Sequence, residues 1–376
     1  MKILFTGGGT GGHFYPIIAI AQEIKKITEK EKLLAPELFF MSVNPYNEEL
    51  LFANDITFVK ITAGKWRRYF SWRNFSDLFK TAYGVWEAII KLYRIYPDLV
   101  FCKGGFSSFP PVLAARILRI PIFVHESDSH PGRVNTWAGK FADRVAVSYH
   151  DALKYFPAVH TAVTGNPLRE EILNPNQAGA LEFLGLEADR PIIMVVGGSQ
   201  GAVKINNTII DILPELLKKY QIIHQTGAKN FDEAEIAIKA TVDPELVKKN
   251  YRPFPYLSSS AMKMSASASS LIISRAGSAI FEIAYWGVPA IIIPLPETIS
   301  HDQTSNAFAY ARSGSAIVIE ENNLTPSVLL SEIDRILNNP KIQIEMKEAC
   351  QTFAKPRASH TIATDRDRWN FFKTIV

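Results

Sequence analysis

Twice in 376 residues the chain runs from a short apolar strand through a glycine-rich turn into an amphipathic helix. The first instance opens the sequence: Ile3 to Phe5, then Thr6-Gly7-Gly8-Gly9-Thr10-Gly11-Gly12-His13, then Pro16 and a helical pattern with Ile17, Ile18, Ile20, Ala21 and Ile24. The second runs from Ile192–Val196 into Gly197-Gly198-Ser199-Gln200-Gly201-Ala202 and a helix carrying Ile205, Ile209, Ile212 and Leu213. Glycines cost backbone entropy on folding. In return they let backbone N–H groups approach an anion at a helix N-terminus, where the helix dipole favours negative charge. A tight strand-to-helix turn would use the same residues. Neither loop is a P-loop, because no lysine stands where GxxxxGK[ST] needs it. The first loop fits G-x-G-x-x-G in letters. However, the second strand ends Ser42-Val43-Asn44-Pro45 with no acid before Glu48, which disfavours an NAD site.

Short apolar runs alternate with helix-length segments along the whole chain. Strands are expected at Ile3–Phe5, Leu38–Val43, Thr57–Ile61, Leu99–Phe101, Ile122–His125, Val145–Val147 and Thr161–Thr164. A second series is expected at Ile192–Val196, Gln221–His224, Leu271–Ile273, Ala290–Ile293 and Ala316–Ile319. This is the pattern of parallel sheets with crossover helices. The expected fold class is therefore α/β, with two Rossmann-like domains. The boundary belongs between Gly165 and Arg190, a stretch containing NPNQAGA, and is placed as domains 1–165 and 166–376. The chain length agrees with two domains. A ligand between two such domains would lie at the carboxyl ends of both sheets.

A net charge of +4 is too mild to argue for nucleic acid. The two cysteines, Cys102 and Cys350, form neither a CxxC nor a disulfide framework, which fits a reducing compartment. Met1-Lys2 leads straight into a strand, so no signal peptide is expected. With no run of about 18 apolar residues, any membrane contact is expected to be peripheral.

Several strand ends carry polar clusters. His125-Glu126-Ser127-Asp128 closes one strand and leads through His130 to Asn135, without metal-ligand spacing. Ser274-Arg275-Ala276-Gly277-Ser278 leads into a helix whose first turns hold Glu282, a carboxylate suited either to two ribose hydroxyls or to the helix dipole. His301 to Asn306 offers amides suited to sugar hydroxyls or to a polar helix N-terminus. The stretch 64–97 holds 10 of the chain's 42 aromatics, with seven basic residues against two acidic. Phe75, Leu78, Phe79, Ala82, Trp86, Ile89, Ile90 and Tyr93 form a helical stripe, expected to be core. Before it, Trp66, Tyr69, Phe70 and Trp72 lie among Arg67, Arg68 and Arg73, a composition suited to an anionic membrane surface. Single-stranded nucleic acid or a partly buried loop would suit the same residues.

With these pieces assembled, the sequence resembles the MurG transferases, which complete the lipid-linked disaccharide precursor of peptidoglycan. The resemblance is carried by Gly8–His13, Gly104–Pro110, His125–Asn135, Gly165–Arg169, Gly197–Ala202, Ser274–Gly277 and Gln303–Asn306, in this order along nearly the whole chain. Two differences from the family's pattern are His125-Glu126-Ser127-Asp128 in place of an HEQN form and a segment one residue shorter between Gly277 and Glu282.

The resemblance implies a GT-B fold and inversion at the anomeric carbon. It implies an N-terminal acceptor and membrane-binding domain and a C-terminal UDP-sugar domain, with a final helix at about 358–373 packed back on the first. Donor and acceptor would be UDP-N-acetylglucosamine and undecaprenyl-diphospho-N-acetylmuramoyl-pentapeptide, with no cofactor and no metal. His13 becomes the candidate base, with Glu126 and Asp128 as alternatives or orienters. Ser199 and Arg169 would hold the diphosphate, Leu257 would lie beside the uracil, Glu282 would bind the ribose hydroxyls and Gln303 sugar hydroxyls, with Gln200 and Ser278 as further substrate-binding residues. Thr10, Gly11, Gly12 and Asn135 would complete the site. The implied location is the cytoplasmic face of the inner membrane. Proteins of cell-wall synthesis and division are the implied partners, and nucleic acid is not.

Overall fold

The computed structural model describes residues 1–65, 72–174, 179–198 and 201–364, with the backbone alone for 72–74 and 301. The chain forms two compact units. One comprises residues 1–170 with the described residues from Lys355 on, and the other comprises residues 171–354.

The first unit is built on seven parallel strands: β1 (Lys2–Thr6), β2 (Glu37–Ser42), β3 (Ile56–Lys60), β4 (Leu99–Cys102), β5 (Ile122–Glu126), β6 (Arg144–Val147) and β7 (Thr161–Val163). Their order in the sheet is β3-β2-β1-β4-β5-β6-β7. Parallel strands bury both faces, hence their continuous apolar runs. On one face Phe5, Phe40, Phe101 and Phe123 pack under Phe14, Ile17, Ile18 and Ile24 of the helix Gly11–Lys30. Ile362 and Ala363 of the helix Ala358–Thr364 join that cluster, and His360 Nδ1 lies 2.7 Å from Glu23 Oε1. Leu4, Val100 and Val124 cover the other face with Ala88, Leu92 and Val112. The strand order reverses between β1 and β4, so the loops after these two strands frame the switch point where open α/β sheets bind ligands.

The second unit has six parallel strands: β8 (Ile192–Val196), β9 (Gln221–Gln225), β10 (Tyr251–Phe254), β11 (Leu271–Ser274), β12 (Ala290–Ile292) and β13 (Ala316–Val318). Their order is β10-β9-β8-β11-β12-β13, with its switch point between β8 and β11. The sequence pattern missed β10. Pro253 interrupts it, and a proline-containing strand is tolerated because β10 lies at the sheet edge.

The helix Trp72–Ile95 corrects a second expectation. The stripe read as core is largely outward: Phe75 is 67 % exposed, Phe79 62 % and Trp86 58 %, and Leu78, Ala82 and Tyr93 are exposed with them. Ile89 and Ile90 are partly buried. The inner face is instead the small-residue line through Gly84, Ala88 and Leu92. A Cβ on Gly84 would meet the Thr62 carbonyl oxygen at 1.8 Å, so only glycine permits this approach. Periodicity names a stripe, but this backbone contact decides which side of the helix faces in.

In the second unit a buried network ties β9 to its neighbours. His224 Nδ1 lies 2.9 Å from the Tyr251 hydroxyl and Nε2 lies 3.1 Å from Asn206 Oδ1, while Asn206 Nδ2 donates to Thr226 O at 2.8 Å. Burial holds the His224 pKa down at about 3, so the ring stays neutral when folded and takes a proton once unfolded. Its contribution is therefore lost as pH falls from about 6.5 toward 3. Between pH 7 and pH 5 the loss is about 2 kcal/mol. Amide exchange of β9 at the two pH values should show it, and His224→Gln should flatten the dependence by that amount. An unchanged slope in the variant would refute this assignment.

Candidate active site

The glycines of the first loop meet those of the loop after β4. Gly8 N donates to Gly104 O at 2.7 Å, and a Cβ on Gly105 would lie 2.6 Å from Gly8 Cα. Gly104 and Gly105 both hold positive φ. Here, glycine allows two loops to cross in contact at the switch point. Thr10 occupies the N-cap position of the helix Gly11–Lys30 without capping it. Its hydroxyl instead lies 2.9 Å from His13 Nδ1. The first-turn N–H groups of Gly11 and Gly12 thus have no side-chain cap, as an anion-binding helix start requires.

His13 sits one turn into that helix, partly exposed, with Nδ1 engaged by Thr10. Burial, then the Lys103 charge, pushes its pKa down to about 3, so the ring is a neutral imidazole at pH 7.

Glu126, at the end of β5, is almost fully buried and holds the following loop. Its Oε1 accepts from Asp128 N at 2.9 Å, and its Oε2 accepts from Gly132 N at 3.1 Å and from Asn135 Nδ2 at 2.9 Å. Burial, then the Asp128 charge, pushes its carboxyl up to about 7. With both oxygens committed, Glu126 is placed as the loop's anchor. Asn135 is equally committed, donating also to His125 O at 3.2 Å. Asp128 is partly exposed beside them. Arg169, near the end of the unit's first segment, stacks with its guanidinium carbon 3.8 Å from the Tyr15 ring centre.

In the second unit the loop after β8 turns through positive φ at Gly198 and Gly201 before the helix Val203–Lys219, which also starts without a side-chain cap. Ser199 and Gln200 lie outside the described residues, as do Trp66, Arg67, Arg68 and Phe70; the side chains of Trp72 and Arg73 do too. Gln225, the last residue of β9, is buried and reaches two elements at once. Its Nε2 donates to Gly198 O at 3.0 Å, and its Oε1 accepts from Leu257 N at 2.9 Å. The Leu257 N–H is thereby occupied. Sequence reading missed Gln225; its one signal was a polar residue closing an apolar strand.

After β11, Ser278 and Glu282 lie at the start of the helix Ala279–Trp286, both partly buried, and a Cβ on Gly277 would meet nothing within 4 Å. Gln303, in the helix His301–Ala311, accepts from Leu295 N at 3.1 Å through Oε1. That leaves its amide nitrogen as the donor end. Arg275 braces the same corner by donating to Ile293 O at 3.2 Å and Pro294 O at 3.3 Å and by pairing with Glu321. Among the described residues no cluster of metal-ligating type occurs.

Each unit thus presents a glycine loop and an uncapped helix start at its switch point. Residues 3–147 match the glycosyltransferase family 28 N-terminal domain, and residues 192–362 match the glycosyltransferase family 28 C-terminal domain. A Bacillus thuringiensis protein is 36% identical over 93% of this chain and 97% of its own length. It is named a UDP-N-acetylglucosamine--N-acetylmuramyl-(pentapeptide) pyrophosphoryl-undecaprenol N-acetylglucosamine transferase. A Clostridium novyi protein of the same name is 35% identical over 92% of both chains. The crystal structure of Acinetobacter baumannii MurG matches with a TM-score of 0.74 at 26% identity, covering 96% of this chain and 97% of that one. A UDP-GlcNAc 2-epimerase from Neisseria meningitidis, bound to UDP-GlcNAc, shares the fold at a TM-score of 0.68 and 14% identity, covering 96% of this chain and 98% of that one. With family 28 domains spanning both units and full-length relatives at this identity, the chain belongs to glycosyltransferase family 28 and, within it, to the MurG transferases.

Proposed function

We propose that this chain transfers N-acetylglucosamine from UDP-N-acetylglucosamine to the C4 hydroxyl of undecaprenyl-diphospho-N-acetylmuramoyl-pentapeptide, with inversion. The observation that carries the reading is full-length similarity to transferases bearing that name. The site geometry is compatible with it. The hydroxyl oxygen attacks the anomeric carbon, the bond from that carbon to the UDP oxygen breaks with its electron pair, and the hydroxyl proton passes to His13. Nε2 is the free ring nitrogen for this role, since Nδ1 is engaged by Thr10.

The second unit is the donor side. Its uncapped helix start after the loop Gly197–Ala202 suits the departing diphosphate, to which the resemblance also assigns Ser199 and, from the first unit, Arg169. Glu282, beside Ser278, takes the ribose hydroxyls, the Leu257 carbonyl takes the uracil edge, and the Gln303 amide nitrogen takes a sugar hydroxyl. The first unit is the acceptor side, with Thr10, Gly11 and Gly12 beside the reacting hydroxyl. Glu126 and Asn135 act by fixing the loop that carries Asp128.

The exposed aromatic face of the helix Trp72–Ile95 supports peripheral attachment to an anionic membrane, on the cytoplasmic face where nucleotide sugars are available. No described helix is long and apolar enough to cross a membrane. The basic and aromatic residues Trp66–Arg73 adjoin this face in sequence.

Purified protein supplied with labelled UDP-N-acetylglucosamine and a short-chain diphospho-N-acetylmuramoyl-pentapeptide should place label in the lipid, with little transfer from UDP-N-acetylgalactosamine. Conversion of the free UDP-sugar to an epimer, without transfer, would refute the reading.

A further inference from the structure

The last rung of the second unit's sheet sets Gln225 between two strand ends. It pairs with Val196 of β8 on one side and with Phe254 of β10 on the other. It is 2 % exposed, and its side-chain amide is used at both ends. Nε2 donates to Gly198 O at 3.0 Å, in the glycine loop after β8. Oε1 accepts from Leu257 N at 2.9 Å, in the loop after β10. One side chain thus ties two loops that lie far apart in sequence.

Both anchor points are themselves fixed. Gly198 holds a φ of +94°, and its carbonyl also accepts from Gly201 N at 3.0 Å in the turn that leads to the helix Val203–Lys219. Gly201 lies against the residue after β9, since a Cβ on it would meet Thr226 O at 2.1 Å. Leu257 is buried in one cluster with Met194, Val196 and Ile223. Ser258, which follows it, accepts from Ala261 N at 3.3 Å at the start of the helix Ser259–Ala268.

The sheet itself does not need this link, because backbone ladders already join β8 to β9 and β9 to β10. What needs it is the spacing of the two loops. One offers a carbonyl and the other an N–H, and a glutamine amide carries one matching group for each. Methionine would fill the same length but leave Leu257 N buried without this acceptor. Asparagine is one methylene short of spanning both.

We propose that Gln225 is a positioning residue for the nucleotide: by holding the loop after β8 to the loop after β10, it fixes the spacing between the diphosphate end and the uracil end of the donor before the donor binds. This rests on the donor reading, in which the first loop serves the diphosphate and Leu257 the base. A loop pair ordered on folding does not have to be ordered on binding. A ligand that spans both loops gains from that, and a ligand that meets only the base side does not.

Isothermal titration of the full-length protein with UDP and with uridine tests this, because uridine carries the base and ribose without the diphosphate. In Gln225→Met and in Gln225→Asn, UDP should bind at least about tenfold more weakly, while uridine stays within about twofold of wild type. The KM for the UDP-sugar should rise by about the same tenfold with kcat within about threefold, as expected for lost binding and intact chemistry. Equal weakening of UDP and uridine, or no weakening of either, would overturn the proposal. So would failure of both variants to fold, because the side chain would then serve the sheet. Wild-type protein that binds UDP no better than uridine would sink the donor reading itself, so the two failures are told apart on wild-type protein alone.

Discussion

His13→Ala lowers kcat by about 10²–10⁴-fold, about 3–5 kcal/mol of transition-state free energy, and leaves UDP binding within about twofold. The size follows from what the ring would supply. An attacking hydroxyl is a weak nucleophile until its proton has somewhere to go, and the partly exposed His13 offers Nε2 for it while Nδ1 is engaged by Thr10. Glu126 has both oxygens occupied by three donors. His125 is fully buried, with Nε2 at 3.1 Å from Gly165 O. UDP binding is spared because the groups assigned to the base and ribose, Leu257 and Glu282, belong to the other unit. Single-turnover transfer with isothermal titration of UDP would separate the two quantities. A variant with kcat within tenfold of wild type would remove His13 from the role and leave Asp128, partly exposed in the loop after β5, as the next candidate.

Replacing Phe75, Phe79 and Trp86 together by serine weakens binding to anionic vesicles by at least about a hundredfold. Burying one large aromatic side chain is worth about 1.5–3 kcal/mol, so three that only partly insert still account for several kcal/mol. These side chains lie on one outward face, with the Phe75 and Phe79 ring centres 5.2 Å apart. Because they contribute little to the core, the soluble protein should unfold within about 0.5 kcal/mol of wild type per substitution. Vesicle sedimentation at low and high salt tests the idea directly. Wild-type protein should pellet with anionic lipid and release partly as salt rises, through screening of its basic residues. Undiminished pelleting of the triple variant would place the membrane contact elsewhere.

The strands were legible because parallel strands, covered on both faces, must be apolar throughout, and turns between them must be polar or glycine-rich. Twelve of the thirteen strands among the described residues follow such runs, and β10 does not, because an edge strand with Pro253 needs neither property in full. Both glycine loops were legible for a similar reason: a strand that meets a helix within a few residues leaves few residue types able to make the turn. The purpose of each glycine was not. Gly8, Gly104 and Gly105 prove to be the crossing of two loops 96 residues apart, a contact that no local pattern encodes.

The sequence by itself determined two α/β units and the order of their strands along the chain. Those properties follow from local periodicity and from residue types that few backbone conformations tolerate. The tertiary structure alone decided which face of the helix Trp72–Ile95 stays outside, because a carbonyl of Thr62 presses against Gly84 where any side chain would collide. It alone gave the Glu126 oxygens three donors from the loop that follows β5. It alone brought Gln225 between Gly198 and Leu257. Each of these is a meeting of residues distant in sequence. Its energy depends on distance and burial, which the three-dimensional fold sets and the order of residues does not state.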